Sequence, residues 1–151
     1  MKRNRWFIII ILLIALIVYT KYGDSGNTIE TTEAGISTIT ETGIYSNPAE
    51  VAEYIHLFNK LPQNFIAKNK AIELGWNSTE GNLWEVTNKM SIGGDAFGNR
   101  EELLPKADNR IWFECDVNYN GGYRGAERIV YSNDGLIYYT DNHYESFKKL
   151  Y

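Results

Sequence analysis

The side chains of this sequence that could do chemistry gather towards its C-terminal end. Glu114 sits in WFECD, Arg124 and Arg128 follow across NYNGGYRGAER, and His143 lies in TDNHYESF. A carboxylate, an imidazole and fixed cations on one surface make an acid/base pair around an anion. Were that anion a phosphodiester, a base would take the nucleophile's proton, an acid would protonate the leaving oxygen, and cations would stabilise charge on phosphorus. The plainer account is a salt-bridged, solvated strand face with an idle histidine. Spacing alone favours it, because exposed ion pairs are common and contribute little.

The elements that must position these residues are legible in the hydrophobic pattern. Phe113, Cys115, Val117 and Tyr119 alternate with Trp112, Glu114, Asp116 and Asn118, the period of a strand buried on one face, so Glu114 is expected to point away from the core. The NGG that follows predicts a hairpin carrying the arginines onto the neighbouring strand. Strands are predicted over Arg110 to Val117, Arg128 to Ser132 and Leu136 to Thr140. Upstream, Asn47 before Pro48 forms an N-cap with proline at the first helical position. Val51, Tyr54, Ile55, Phe58 and Leu61 then make one apolar stripe, which Pro62 must end. Shorter helices fit Lys68 to Leu74, closed by Gly75, and Leu83 to Val86; SIGGDAFGNREELLP reads as a polar, glycine-containing loop. Helices first and strands after predict an α+β fold, the helices packed on one face of a C-terminal antiparallel sheet and the other face free to be a site.

The sequence has 151 residues, 44% of them hydrophobic and 23% charged, enough for one domain and an N-terminal extension. Lys2, Arg3 and Arg5 precede an uncharged apolar run from Trp6 to Tyr19. That run is short beside the roughly 20 residues of a spanning helix, and its cleavage site is poor, so residues 1–23 read as a signal peptide or a membrane anchor. Either places the remainder outside the cytoplasm, secreted or tethered to the membrane's outer face. Residues 24–43, rich in Thr, Ser, Gly and Glu, read as a flexible linker or pro-segment, and residues 44–151 as the folded domain. Cys115 is the only cysteine and there are two histidines, with no ligand spacing among them, so neither a disulfide nor a metal site is expected. The net charge of −4 provides no broad attraction for nucleic acid, and any such contact needs a local cationic cleft. SIGGD lacks the pattern of a nucleotide fingerprint.

The motifs VAEYI, NKLPQNFIAK, ELGW, GNL, KMSIGGDAFGNRE, LP, DVNYNGGYR, RIVYS, GLIYYTDNHY and SF, in this order, closely resemble the barnase/binase family of microbial guanyl-preferring ribonucleases. The resemblance covers residues 44–151 without insertion. It implies a monomeric, cofactor-free, metal-independent enzyme that cleaves single-stranded RNA 3′ of guanosine through a 2′,3′-cyclic phosphate. Glu114 matches the family's general base and His143 its general acid, while Lys68, Arg124 and Arg128 match the cations on the phosphate. Guanine would be held by the loop FGNRE, with Phe97, Asn99 and Arg100 shaping it, Glu101 accepting from the base's N1–H and amine, and Tyr144 lining the site.

The sequence departs from the family at several points. Gly98 stands where the best-known members have serine, and the domain carries 11 Lys+Arg against 15 Asp+Glu where those members are basic. Asn59 replaces a histidine at the end of the first helix, so the stabilisation a cation there draws from the helix dipole is expected to be missing. Two alternatives to an extracellular endoribonuclease stay open. One is a catalytically silent module binding RNA or protein in the same cleft; the other is an antibacterial toxin ribonuclease with a barstar-like inhibitor as its partner. Membrane association would come through the N-terminal apolar segment.

Overall fold

The computed structural model describes residues 38–151; the expected signal or anchor, and the linker as far as residue 37, lie outside the described residues. Helix α1 spans Pro48–Phe58, β1 Phe65–Ile66, α2 Lys68–Glu73 and α3 Leu83–Val86. The strands β2 Ser91–Phe97, β3 Trp112–Asp116, β4 Arg128–Ser132, β5 Ile137–Thr140 and β6 Lys148–Lys149 follow. All six strands form one sheet in chain order; β1 pairs with β2 in parallel and the remaining neighbours are antiparallel. This is the α+β fold expected, with differences in β2, at the end of α1 and on the second face of the sheet.

The first difference is β2. Gly93 and Gly94 read as loop residues, yet they lie in a strand. A Cβ on Gly93 would stand 2.6 Å from the Cβ of Cys115, so glycine lets β3 approach closely. Gly94, at φ +93°, forms an irregularity that shifts the register from Gly93↔Cys115 to Asp95↔Glu114. The second difference is the end of α1. Asn47 Oδ1 accepts from Ala49 N–H at 2.9 Å as the N-cap pattern predicts, but the helix stops at Phe58, before Pro62. Asn59 adopts the left-handed conformation, φ 52°, and donates its N–H to Ile55 O. His56, in the last turn, supplies a basic residue one turn before the position where the family carries its histidine.

Val51, Ala52 and Ile55 of α1 pack with Cys115, Val117, Ile129 and Ile137 on one face of the sheet. A second cluster, Ala71, Trp76, Leu83, Ile92 and Tyr119, joins the short helices to β2. The opposite face was expected to be open and solvated, and it is not. Leu104, Trp112 and Val130 form a third cluster there, covered by Phe97, Leu136, Tyr138, Tyr144 and Phe147. Glu114, Asp116 and Arg128 on that face are all buried. Tyr54 donates to Glu41 O at 2.8 Å and Gln63 Nε2 to Thr42 O at 2.9 Å, so bonds to the domain begin ahead of Ile44. Among the described residues no helix is long and apolar enough to cross a membrane.

Candidate active site

The second face of β3 and β4 changes character along its length. Cross-strand neighbours run from Trp112↔Ser132 through Glu114↔Val130 to Asp116↔Arg128, and Arg128 in turn faces Thr140. Glu114 therefore stands where the apolar cluster meets an ionic one. It is 7% exposed, and two donors occupy its oxygens: Lys68 Nζ lies 2.5 Å from Oε1, and the Tyr144 hydroxyl donates to Oε2. Burial pushes the Glu114 carboxyl upward, but the hydrogen bonds from Lys68 and Tyr144, with the charges of Lys68 and Arg124, outweigh it and hold the group below its ordinary value. Tyr144 is pushed well above the ordinary phenol value by burial and by its bond to Glu114. The carboxylate is thus ionised at neutral pH and the phenol is a pure donor.

Lys68 reaches Glu114 because its backbone is fixed. Ala67, at the N-cap of α2, has no side-chain oxygen, and the Asp95 carboxylate of β2 accepts from Lys68 N–H instead, at 3.0 and 3.3 Å. Asp95 is opposite Glu114 in the sheet only because of the irregularity at Gly94. Sequence reasoning missed this role. The available signal was a short helix with no capping residue of its own, which obliges another segment to provide one.

The arginines, carried to this face by the predicted hairpin, pair with Asp116 and not with Glu114. Arg124 donates from Nε to Asp116 Oδ2 at 2.6 Å and from Nη2 to Oδ1 at 2.7 Å. Arg128 Nε stands 2.9 Å from Asp116 Oδ1, out of line for a hydrogen bond, while its Nη1 donates to the carbonyls of Gly125 and Glu127 at 2.8 and 2.7 Å. Burial lowers the Arg124 pKa, but the bond to Asp116 more than reverses this, so the guanidinium stays charged. One buried carboxylate holds two cations in fixed orientation.

The loop after β2 is closed by Asn99, which is buried at φ 43°; its Oδ1 accepts from Leu104 N–H at 3.0 Å and its Nδ2 donates to Leu104 O at 2.8 Å. Arg100 and Glu101 stand exposed at the tip. Phe97 stacks on Tyr144, centroids 5.0 Å apart. His143 and Tyr144 are consecutive residues in the left-handed region, φ 55° and 74°, a backbone that costs about 1–3 kcal/mol per residue. The Thr140 hydroxyl accepts from Tyr144 N–H at 3.1 Å and donates to Asn142 Oδ1 at 3.0 Å, which holds this turn. His143 is exposed and edges two clefts. One, of about 910 Å³, is lined by residues 96–101, Leu103 and residues 143–145; the other, of about 460 Å³, includes Arg124 and Arg128.

The structure therefore brings Lys68, Glu114 and Tyr144 into contact, sets Arg124 and Arg128 on the same face, and puts Phe97, Asn99, Arg100, Glu101, His143 and Tyr144 around one cleft. Among the described residues no three His, Cys, Asp or Glu side chains converge as a metal-ligand set.

The family model described as ribonuclease matches residues 48–151. A ribonuclease of Heyndrickxia coagulans is 50% identical over 100 residues, 66% of this chain and 92% of that protein. A ribonuclease of Bacillus intermedius is equally identical over 100 residues, and there the match spans 62% of the relative's length. A guanyl-specific ribonuclease St of Saccharopolyspora erythraea is 41% identical over 56 residues, 36% of this chain and 55% of that protein. A family match over most of the chain, at this identity and on these motifs, means that the chain belongs to the ribonuclease family of RNA-cleaving enzymes, in its barnase/binase branch.

Proposed function

We propose that the chain is a metal-independent, guanyl-preferring endoribonuclease in which Glu114 is the general base and His143 the general acid. Glu114 removes the proton of the ribose 2′-hydroxyl as that oxygen attacks the adjacent phosphorus; the bond from phosphorus to the 5′-oxygen breaks, and His143 gives that oxygen its proton. The product is a 2′,3′-cyclic phosphate. Water then attacks it with the two residues in reversed roles, His143 taking the proton and Glu114 returning one. Lys68, Arg124 and Arg128 stabilise the charge that develops on phosphorus, in a partly buried site where such interactions are strong. The RNA supplies its own nucleophile, which leaves a metal no necessary part.

One observation carries this reading: a buried carboxylate, held ionised below its ordinary range by Lys68 and Tyr144, lies on a sheet face that also carries two fixed guanidinium groups. Guanine preference is supported by the loop that Asn99 closes, with Glu101 free to accept from two donors on the base. Export by residues 1–23 completes the proposal. The test is cleavage of GpN and ApN dinucleotides by the whole chain in excess chelator. Guanosine 2′,3′-cyclic phosphate from GpN, with ApN slow and deoxy substrates inert, is expected. Cleavage of DNA, or abolition of activity by the chelator, would remove the mechanism.

A further inference from the structure

Asn120 is followed by Gly121, the one Asn-Gly pair in the sequence. Asn120 is exposed, and its side chain is held by a single bond, from Nδ2 to Asn118 O at 3.1 Å. The N–H of Gly121 has no hydrogen-bond acceptor among the described residues. Glycine also lacks the Cβ that would crowd a ring closing on its nitrogen. A side-chain amide carbon is therefore next in the chain to an uncommitted, unhindered backbone nitrogen, on a surface that water reaches.

The turn around this pair has no slack. Asn118 donates its N–H to Ser46 O at 2.7 Å and its Nδ2 to Glu127 Oε2 at 2.7 Å, and the Tyr119 hydroxyl donates to Gly122 O at 2.8 Å. A Cβ on Gly121, at φ +85°, would stand 2.8 Å from the Trp84 ring, and one on Gly81 would stand 2.8 Å from the Gly122 carbonyl carbon. Arg124 follows at the end of this segment, bonded to Asp116 through two of its nitrogens. A main-chain atom added at Asn120 can be absorbed only by displacing the segment that delivers this guanidinium. We propose that Asn120 is a spontaneous deamidation site through which the enzyme loses activity as it ages. Gly121 N attacks Asn120 Cγ and gives its proton to water; the bond from Cγ to Nδ2 breaks, and ammonia leaves with a proton taken from water. Water then opens the succinimide. Opened at the main-chain carbonyl, it becomes isoaspartate, whose chain runs through Cβ and Cγ and is one carbon longer; opened at Cγ, it becomes aspartate. The covalent step is independent of the RNA chemistry, whereas the loss of activity rests on the role proposed for Arg124.

The test holds the whole chain in warm, mildly alkaline buffer, maps its peptides by mass spectrometry and follows RNA cleavage in parallel. The peptide carrying Asn120 is expected to gain the mass of an amide turned to an acid and to become a substrate for an isoaspartyl methyltransferase. The added charge lets the altered chain be separated by anion exchange. That fraction is expected to fall about 10²-fold in kcat, the cost of misplacing a positioned group by about 1 Å. Asn120→Gln, whose longer side chain closes the ring far more slowly, is expected to keep its own starting activity over the same incubation. Asn120→Asp, which carries the charge without the extra atom, is expected to stay close to the fresh chain. The proposal is overturned by an Asn120 that keeps its amide, by an isoaspartyl fraction as active as the fresh chain, or by an Asn120→Gln chain that decays as fast. An Asn120→Asp chain as impaired as the isoaspartyl fraction overturns it too. Arg124→Ala separates the parent reading. Full activity in that variant would overturn the role given to Arg124, and the activity loss with it; an impaired Arg124→Ala beside a fully active isoaspartyl chain would overturn this inference alone.

Discussion

Lys68 Nζ and Glu114 Oε1 meet at 2.5 Å, joining the first turn of a short helix to the middle of the sheet. The pair explains how a carboxylate that is 7% exposed stays charged: burial pushes its pKa upward, and the bonds from Lys68 and Tyr144 more than offset that push. Removing the lysine as Lys68→Ala leaves burial less opposed, so the Glu114 pKa rises. The acid limb of the pH–rate profile, expected below the ordinary carboxylate range in the unmodified chain, moves upward. With Lys68 in its proposed role on the phosphate, loss of the cation is expected to cost about 10²–10³-fold in kcat. Profiles of kcat/KM on GpN substrates for both proteins check the shift and its sign. Glu114→Ala is expected to cost about 10²–10⁴-fold, the usual contribution of a positioned base.

Asp116 is 2% exposed and holds Arg124 and Arg128, the latter 3% exposed. Asp116→Ala leaves a buried guanidinium uncompensated. A loss of about 3–5 kcal/mol is expected from breaking one partner out of a buried ion pair. Urea unfolding of the two proteins measures it. A change below 1 kcal/mol would show that water replaces the carboxylate.

Asn99→Ala removes the side-chain bridge across the loop at Leu104 and places alanine at φ 43°. The loop then loses both its closure and the residue type that tolerates the left-handed region. The expected result is a smaller ratio of GpN to ApN cleavage, with the cyclic product unchanged in kind. Both dinucleotides must be measured, since a uniform loss would indicate damage to Glu114 or His143.

Asp134 accepts from Arg110 Nε and Nη2, and its pKa is lowered to about 2, chiefly by that bond and by one from Ser132. A folded pKa below the unfolded one contributes stability that is present above the unfolded value and is lost as pH falls through the folded value. Asp134 is exposed while Arg110 is half-buried, so the contribution is modest and shrinks with salt. NMR titration of Asp134 is expected to give a midpoint near 2. Arg110→Ala is expected to return that midpoint towards the ordinary aspartate value.

Much of the fold was legible because its signals are local. Asn47 before Pro48 marks the start of α1, and the alternation of Arg128 to Ser132 matches β4 residue for residue. β2 was not legible, since paired glycines mark turns far more often than strands. Gly93 and Gly94 fit a strand only because Cys115 approaches one and an irregularity needs the other. Asn59 likewise ends α1 through a backbone conformation that no hydrophobic period reveals.

The candidate residues themselves were found by motif and order; their pairings were not. The sequence by itself determined the helix starts, the strand alternation around Glu114, the family and the set of residues around the cleft, because each is written within a few neighbouring positions. Only the tertiary structure decided that Glu114 is buried, that Lys68 and Tyr144 hold it, and that Asp116 takes both arginines. The physical reason is that burial and ion pairing are set by what covers a face. The second face of β3 is covered by segments around Phe97, Leu104 and Tyr144, and the strand's own alternation carries no record of them.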